Sequence, residues 1–198
     1  MEGEYMQKKP EIVVIAGPNG SGKSTYTEYI LGSSQFVDDT FQYINADDIQ
    51  AAIGCTPLDA AKEATALREK ALSEKRNFAF ETVLSTRRNL DLLIKAKNEG
   101  YFIRCFYFLT TSYTINIQRV ESRVSEGGHS VPNDKIKSRY EKSLALLPEL
   151  ISVCDSINIW DNTTEHPYRI FRKKKEQINF FENPIWKLND IHKLTKIQ

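Results

Sequence analysis

The chain has 198 residues and a mass of 22.8 kDa, enough for one domain with a substantial core. Its 27 Lys and Arg stand against 26 Asp and Glu, a net charge of +1 that argues against a dedicated nucleic-acid binder. Cys55, Cys105 and Cys154 have neither metal-ligand nor disulfide-framework spacing, and no apolar leader or run of ~20 apolar residues occurs, so we expect a cytoplasmic protein that uses no membrane.

Elements alternate in type along the chain. Residues 11–16 (EIVVIA) read as a strand covered on both faces, and residues 22–31 as a helix. "FQYINADDI" predicts a second strand ending near Asn45, with a helix beginning near Ile49. Ala60 to Lys75 favours helix, and "NFAFETVLS" predicts a third strand ending at Glu81. Leu90, Leu93, Ile94 and Lys97 repeat at helical spacing, with Gly100 placed to end that helix. "YFIRCFYFL" is the most aromatic strand and is expected at the sheet centre.

Ser112 is placed to cap a helix whose Tyr113, Ile117, Val120 and Val124 share a face. "SEGGHSVPND" interrupts it. Pro132 then starts a second helix with Ile136, Tyr140, Leu144 and Leu147 as its buried stripe. Residues 156–161 and 168–173 read as late strands, the second antiparallel, and the basic run 172–175 as a solvated face. Trp186 and Leu188 would pack a short terminal helix onto the body. The expectation is one α/β domain spanning 1–198: a three-layer sandwich with a mostly parallel central sheet and a helical insertion at about 112–150.

Between the first strand and first helix, Gly17-Pro18-Asn19-Gly20-Ser21-Gly22-Lys23-Ser24 satisfies the P-loop pattern in its required strand–helix context. Glycines let backbone N–H groups converge on phosphate oxygens, and the helix N-terminus adds favourable potential. Lys23 would reach the β and γ phosphates, the Ser24 hydroxyl would ligate Mg²⁺, and Thr25 would line the site. ATP with Mg²⁺ is therefore the expected ligand. Three classes share this loop: transporter-type ATPases, nucleotide switches and kinases. "SEGGHS" only superficially resembles the second motif of the transporters, no apolar strand ends in Asp-Glu, and no Asn-Lys-x-Asp guanine-recognition sequence occurs. A P-loop ATPase or nucleotide-dependent interaction module remains the rival to a kinase.

A kinase needs an acceptor side at the carboxyl ends of the neighbouring strands. Asp47 and Asp48 follow the second strand, one of them suited to accept a hydroxyl proton and the other to cap a helix. Glu81 ends the third strand, placed to hold substrate or a metal-bound water, with Thr82 and Ser85 as polar companions. Arg119 and Arg123, four apart, lie on the face opposite Val120 and would close over a triphosphate, or pair with Glu121 and Glu126. Arg139 is a third candidate, and His129, at the joint between the two helices, is placed to touch substrate or hold the turn.

The ordered set "GPNGSGKST", "INADDI", "FAFETVLS", "GYFIRCFYFL" and "RVESRVSEGGHSVPNDKIKSRY" resembles the zeta toxin family of P-loop kinases over roughly residues 11–165. The resemblance implies that Lys23 and Ser24 carry nucleotide and metal. It places the acceptor-activating aspartate on Asp47, with Asp48 the shifted alternative, and the strand-three glutamate on Glu81. The lid arginines that clamp phosphate fall among Arg119, Arg123 and Arg139. It further implies a nucleotide-sugar acceptor such as UDP-N-acetylglucosamine and a small antitoxin partner.

Overall fold

Five buried apolar residues, Ile12 to Ala16, form the axis of the molecule. In the computed structural model, which describes residues 9–33, 41–128 and 130–197, they belong to strand β1 (Glu11–Ala16). β3 (Phe78–Thr82) and β4 (Phe102–Leu109) flank it in parallel, with Ala16 opposite Thr82 on one side and Tyr107 on the other. β2 (Gln42–Tyr43) pairs with β3, and β5 (Ser156–Asp161) with β4, both again parallel. β6 (Tyr168–Lys174) and β7 (Gln177–Phe180) complete the sheet antiparallel. The order β2-β3-β1-β4-β5-β6-β7 puts the aromatic strand β4 at the middle, as expected.

Successive β1 side chains enter two cores, which is why this strand is apolar without alternation. Ile12, Val14 and Ala16 join the larger one, with Phe78, Phe80 and Ile103. Helices α3 (Pro57–Ser73), α4 (Arg87–Asn98), α6 (Asn133–Val153) and α7 (Leu188–Thr195) fill it through Leu72, Leu90, Leu93, Leu147 and Ile191. Val13 and Ile15 face the smaller core, where helix α1 (Lys23–Leu31) supplies Ile30. Each such buried aliphatic contributes about 1.5–3 kcal/mol. Helices on both faces of the sheet make the expected α/β sandwich. Among the described residues no helix is long and apolar enough to cross a membrane, and the three cysteines are free thiols.

Several expectations need correction. β2 is only two residues long, because Asn45 leaves the strand to cap helix α2 (Ala46–Ile53), its side chain accepting from the Asp47 N–H. That helix therefore starts at Ala46 rather than near Ile49, and neither aspartate is its cap. Ser112 does cap α5 (Tyr113–Ser125), but Val124 on the expected apolar face is exposed. On α6 the buried position is Ser143 rather than the half-buried Leu144, since the Ser143 hydroxyl shares a 2.8 Å hydrogen bond with Tyr107. Strand β7 was not expected; its sequence QINF is mostly exposed at the sheet edge and carries no two-sided apolar signal. In the tail, Ile191 and the indole of Trp186 hold α7, the indole donating to Asp161 at 2.8 Å, whereas Leu188 is exposed.

Candidate active site

All five parallel strands end on one rim, where ligands of open α/β sheets bind. The P-loop leaves β1 there, Asn45 to Asp47 follow β2, Glu81 and Thr82 end β3, Thr110 follows β4, and Asp161 and Asn162 close β5. With the P-loop, Asn45 to Asp47, Glu81, Thr82 and Asn162 line a cleft of about 760 Å³.

The loop is held by close backbone approach. Gly17 has φ 138°, and a Cβ there would stand 1.9 Å from the Phe108 carbonyl oxygen. Gly20 has φ 73°, and its Cβ would come within 2.5 Å of the Asn116 oxygen. Only glycine fits either place. Two buried amides then brace the loop from other elements. Asn116 on α5 donates to the Asn19 carbonyl while its own oxygen accepts from Thr110, and Asn162 donates to the Ser21 carbonyl at 3.0 Å. Sequence reading missed both, because their partners lie some hundred residues away along the chain.

Asn19, Gly20, Gly22, Lys23, Ser24 and Thr25 line the cleft, whereas Gly17, Pro18 and Ser21 lie behind it as backbone support. The Lys23 ammonium is buried and donates to the Pro18 carbonyl at 2.9 Å. Burial pushes it down to about 8; attraction to Glu81 opposes the shift, and the nearby Arg123 guanidinium adds to it. An incoming polyphosphate would reverse that imbalance.

Glu81 is gripped by three hydroxyls: Ser24 donates to one oxygen at 3.1 Å, and Thr27 at 2.6 Å and Tyr43 at 3.1 Å donate to the other. Tyr43 in turn accepts from Asn45, and burial together with the Glu81 charge drives its phenol well above its ordinary value. Thr27, Tyr43 and Asn45 were not predicted. They hold Glu81 against α1. Mg²⁺ takes one or two protein oxygens and completes its shell with water and phosphate. The Ser24 hydroxyl and the adjacent Glu81 carboxylate fit that share.

Asp47, exposed in the first turn of α2, faces the cleft; Asp48 does not line it. Thr82 lines it too, but its oxygen is occupied by the Leu84 N–H and the Asn89 amide, the role of a turn former. Ser85 lines the cleft.

Arg119, Arg123 and Arg139 all line the cleft together with the P-loop. The sequence reading put the first two opposite Val120. They instead flank the buried Asn116–Val120 edge of α5, since 116, 119, 120 and 123 follow helical spacing. Arg119 donates to the Thr163 carbonyl at 3.2 Å and forms no ion pair among the described residues, and Glu121 is engaged by Asn133 instead. Arg139 donates to the Asn19 side chain at 3.4 Å. Its neighbour Tyr140 fastens α6 to the end of β4, its hydroxyl donating to the Thr110 carbonyl at 2.6 Å. His129 lies outside the described residues.

A P-loop after β1, a cationic rim from an α5–α6 pair and acids at two adjacent strand ends define the P-loop kinase fold. The zeta toxin family model matches residues 2–168, and the chain belongs to that family. An uncharacterized protein of Haemophilus influenzae is 30% identical over 138 residues, covering 68% of this chain and 94% of its own. Among solved structures, one from the PezAT chromosomal toxin–antitoxin system of Streptococcus pneumoniae superposes with TM-score 0.59 at 19% identity, covering 83% of this chain and 74% of that one. The AvrRxo1-ORF1:-ORF2 structure with ATP gives TM-score 0.72 at 13% identity, over 94% of this chain and 64% of that one.

Proposed function

We propose that this protein is a cytoplasmic ATP-dependent kinase that transfers the γ-phosphoryl group to a hydroxyl of a small substrate. UDP-N-acetylglucosamine or a related nucleotide sugar is the candidate acceptor. The observation that carries the reading is the continuity of the cleft: P-loop, Lys23 and three arginines at one end run without a break into Asp47 and the β3–α4 turn at the other. Hydrolysis alone would not require that second half.

In this reading residues 1–198 act as one kinase domain, and the 112–150 insertion clamps the nucleotide. Lys23 and the backbone of residues 19–25 hold the phosphates, and Arg119, Arg123 and Arg139 meet charge on the transferring group. Ser24 and Glu81 would hold Mg²⁺, which would supply positive charge against the negative charge of the phosphates. Asp47 receives the acceptor proton as the hydroxyl oxygen bonds to phosphorus and the bond to the ADP oxygen breaks. Asp47 is favoured over Asp48 because it faces the cleft. The family membership, and the toxin–antitoxin origin of one structural relative, support a small antitoxin as partner.

The test is incubation with γ-labelled ATP and a panel of nucleotide sugars and sugar phosphates. Label appearing on an acceptor with wild type and not with Lys23→Met is the expected result. Label released only as inorganic phosphate across a broad metabolite extract would instead make the protein an ATPase.

A further inference from the structure

The acceptor end of the cleft contains a charge that nothing described so far uses. Arg68, on α3, is 92% buried by its 8% relative exposure, yet it lines both the main cleft and the recess that continues from it beyond Ala61. Its Nε donates to the Ala64 carbonyl at 3.0 Å, and an Nη donates to the Thr65 hydroxyl at 3.4 Å. Both partners are neutral oxygens of its own helix. Its guanidinium also stands over the Phe80 ring, 4.9 Å from the centroid. Among the described residues no carboxylate forms a salt bridge with it, and the like charge of Arg88 acts on it unfavourably. A buried, unpaired cation is costly, and a neighbouring cation makes it more so.

The opposite wall supplies donors in the same direction. Helix α4, twelve residues long, begins there with Thr86 as its N-cap, and the Thr86 side chain caps no backbone N–H. Its first-turn N–H groups and the positive end of its dipole therefore remain available to an anion. Thr86, Arg88 and Asn89 line the same recess as Arg68. Leu84, two residues upstream, adopts φ 54°, uncommon for a branched side chain, and this bend carries the chain from β3 into that wall.

Resting on the kinase reading, we propose that Arg68, Arg88 and the N-terminus of α4 form an anion subsite for a phosphate group already present on the acceptor. The substrate is then a phosphorylated hydroxyl compound, held by its phosphate in this recess while its hydroxyl reaches Asp47. A phosphate fits better than a carboxylate, because guanidinium, hydroxyl and backbone donors approach from two walls and need an anion with oxygens on several sides.

The experiment is calorimetric titration with inorganic phosphate, which requires no turnover and so stands apart from the test of the kinase reading. Because phosphate also suits the P-loop, the titration uses Lys23→Ala, alone and combined with Arg68→Met or Arg88→Gln. We expect saturable binding in Lys23→Ala, weakened about tenfold or more by Arg68→Met and several-fold by Arg88→Gln. Arg68→Met should melt at or above the temperature of its parent, since it removes a desolvated charge while keeping an unbranched apolar chain. Absence of saturable binding in Lys23→Ala, or equal affinity in the Arg68→Met combination, would overturn the subsite. A lowered melting point with unchanged phosphate affinity would make Arg68 a structural residue. Acetate binding at the same strength as phosphate would overturn the phosphate assignment. Phosphate binding as expected without transfer to any hydroxyl would leave the subsite standing and remove the kinase.

Discussion

Lys23→Met should stabilise the free protein while disabling it. The ammonium falls from 10.5 to about 8, mainly because burial strips its water. That depression corresponds to a cost of roughly 3 kcal/mol at neutral pH. Methionine keeps most of the buried chain, and the Pro18 carbonyl it abandons still accepts from the Ser21 N–H at 3.2 Å. Glu81 loses a counter-charge but keeps its three hydroxyl donors. A net gain of about 1–2 kcal/mol remains, a rise of ~2–8 °C in melting temperature for a chain of this size. The sign with pH follows from a lysine whose folded value is depressed. Below about 8 both states are protonated and the cost is full; between 8 and 10.5 the unfolded chain binds more protons, so stability rises with pH; above 10.5 the cost vanishes. Calorimetric melting from pH 7 to 10.5 should show that rise in wild type and its loss in Lys23→Met, alongside lost ATP binding. A variant that melts lower than wild type at pH 7, with the wild-type pH slope intact, would refute the reasoning.

Asp47→Asn should cut phosphoryl transfer by ~10²–10⁴ with ATP affinity nearly unchanged, as expected for a lost general base, and Asp48→Asn should be mild; labelled-transfer kinetics with separate ATP titrations check both. Arg119→Ala and Arg123→Ala should each lower transfer by ~10²–10³ without unfolding the chain, measured by single-turnover rates at saturating ATP. Gly17→Ala should cost about 3 kcal/mol or more in denaturant unfolding, because left-handed strain adds to a 1.9 Å approach to Phe108.

What could be read from sequence divides by the range of the interaction involved. Strand β1 was legible because burial on both faces imposes a continuous apolar run, β3 and β4 because they are rich in aromatic residues, and the P-loop because its pattern is local to eight residues. β7 was not, since an exposed edge strand carries no pattern, and β2 was located but read too long, since Asn45 leaves the β-rich run to cap α2. The bracing amides Asn116 and Asn162, the Thr27–Tyr43 grip on Glu81 and the solitary charge of Arg68 all depend on which elements the fold brings together. On a linear reading Arg68 is an ordinary helix residue, and its burial beneath the cleft emerges only when α3 is laid against Phe80. The arginines of α5 were found by type and spacing, but the face they share was misjudged, because the polar Asn116 turned out to belong to the buried edge.

The bracing of α5 at Asn116 also bears on how fast ligands arrive. Arg119 and Arg123 stand three and seven residues beyond that anchor on the same helix, so the free protein keeps their charge beside Lys23 instead of gathering it after binding. With a net charge of +1 the chain as a whole exerts little pull at a distance. The cleft, however, concentrates cations between low-dielectric walls and will focus the field on an approaching polyphosphate. Nucleotide capture should therefore slow steeply as salt shortens the screening length toward the width of the opening, while dissociation changes less.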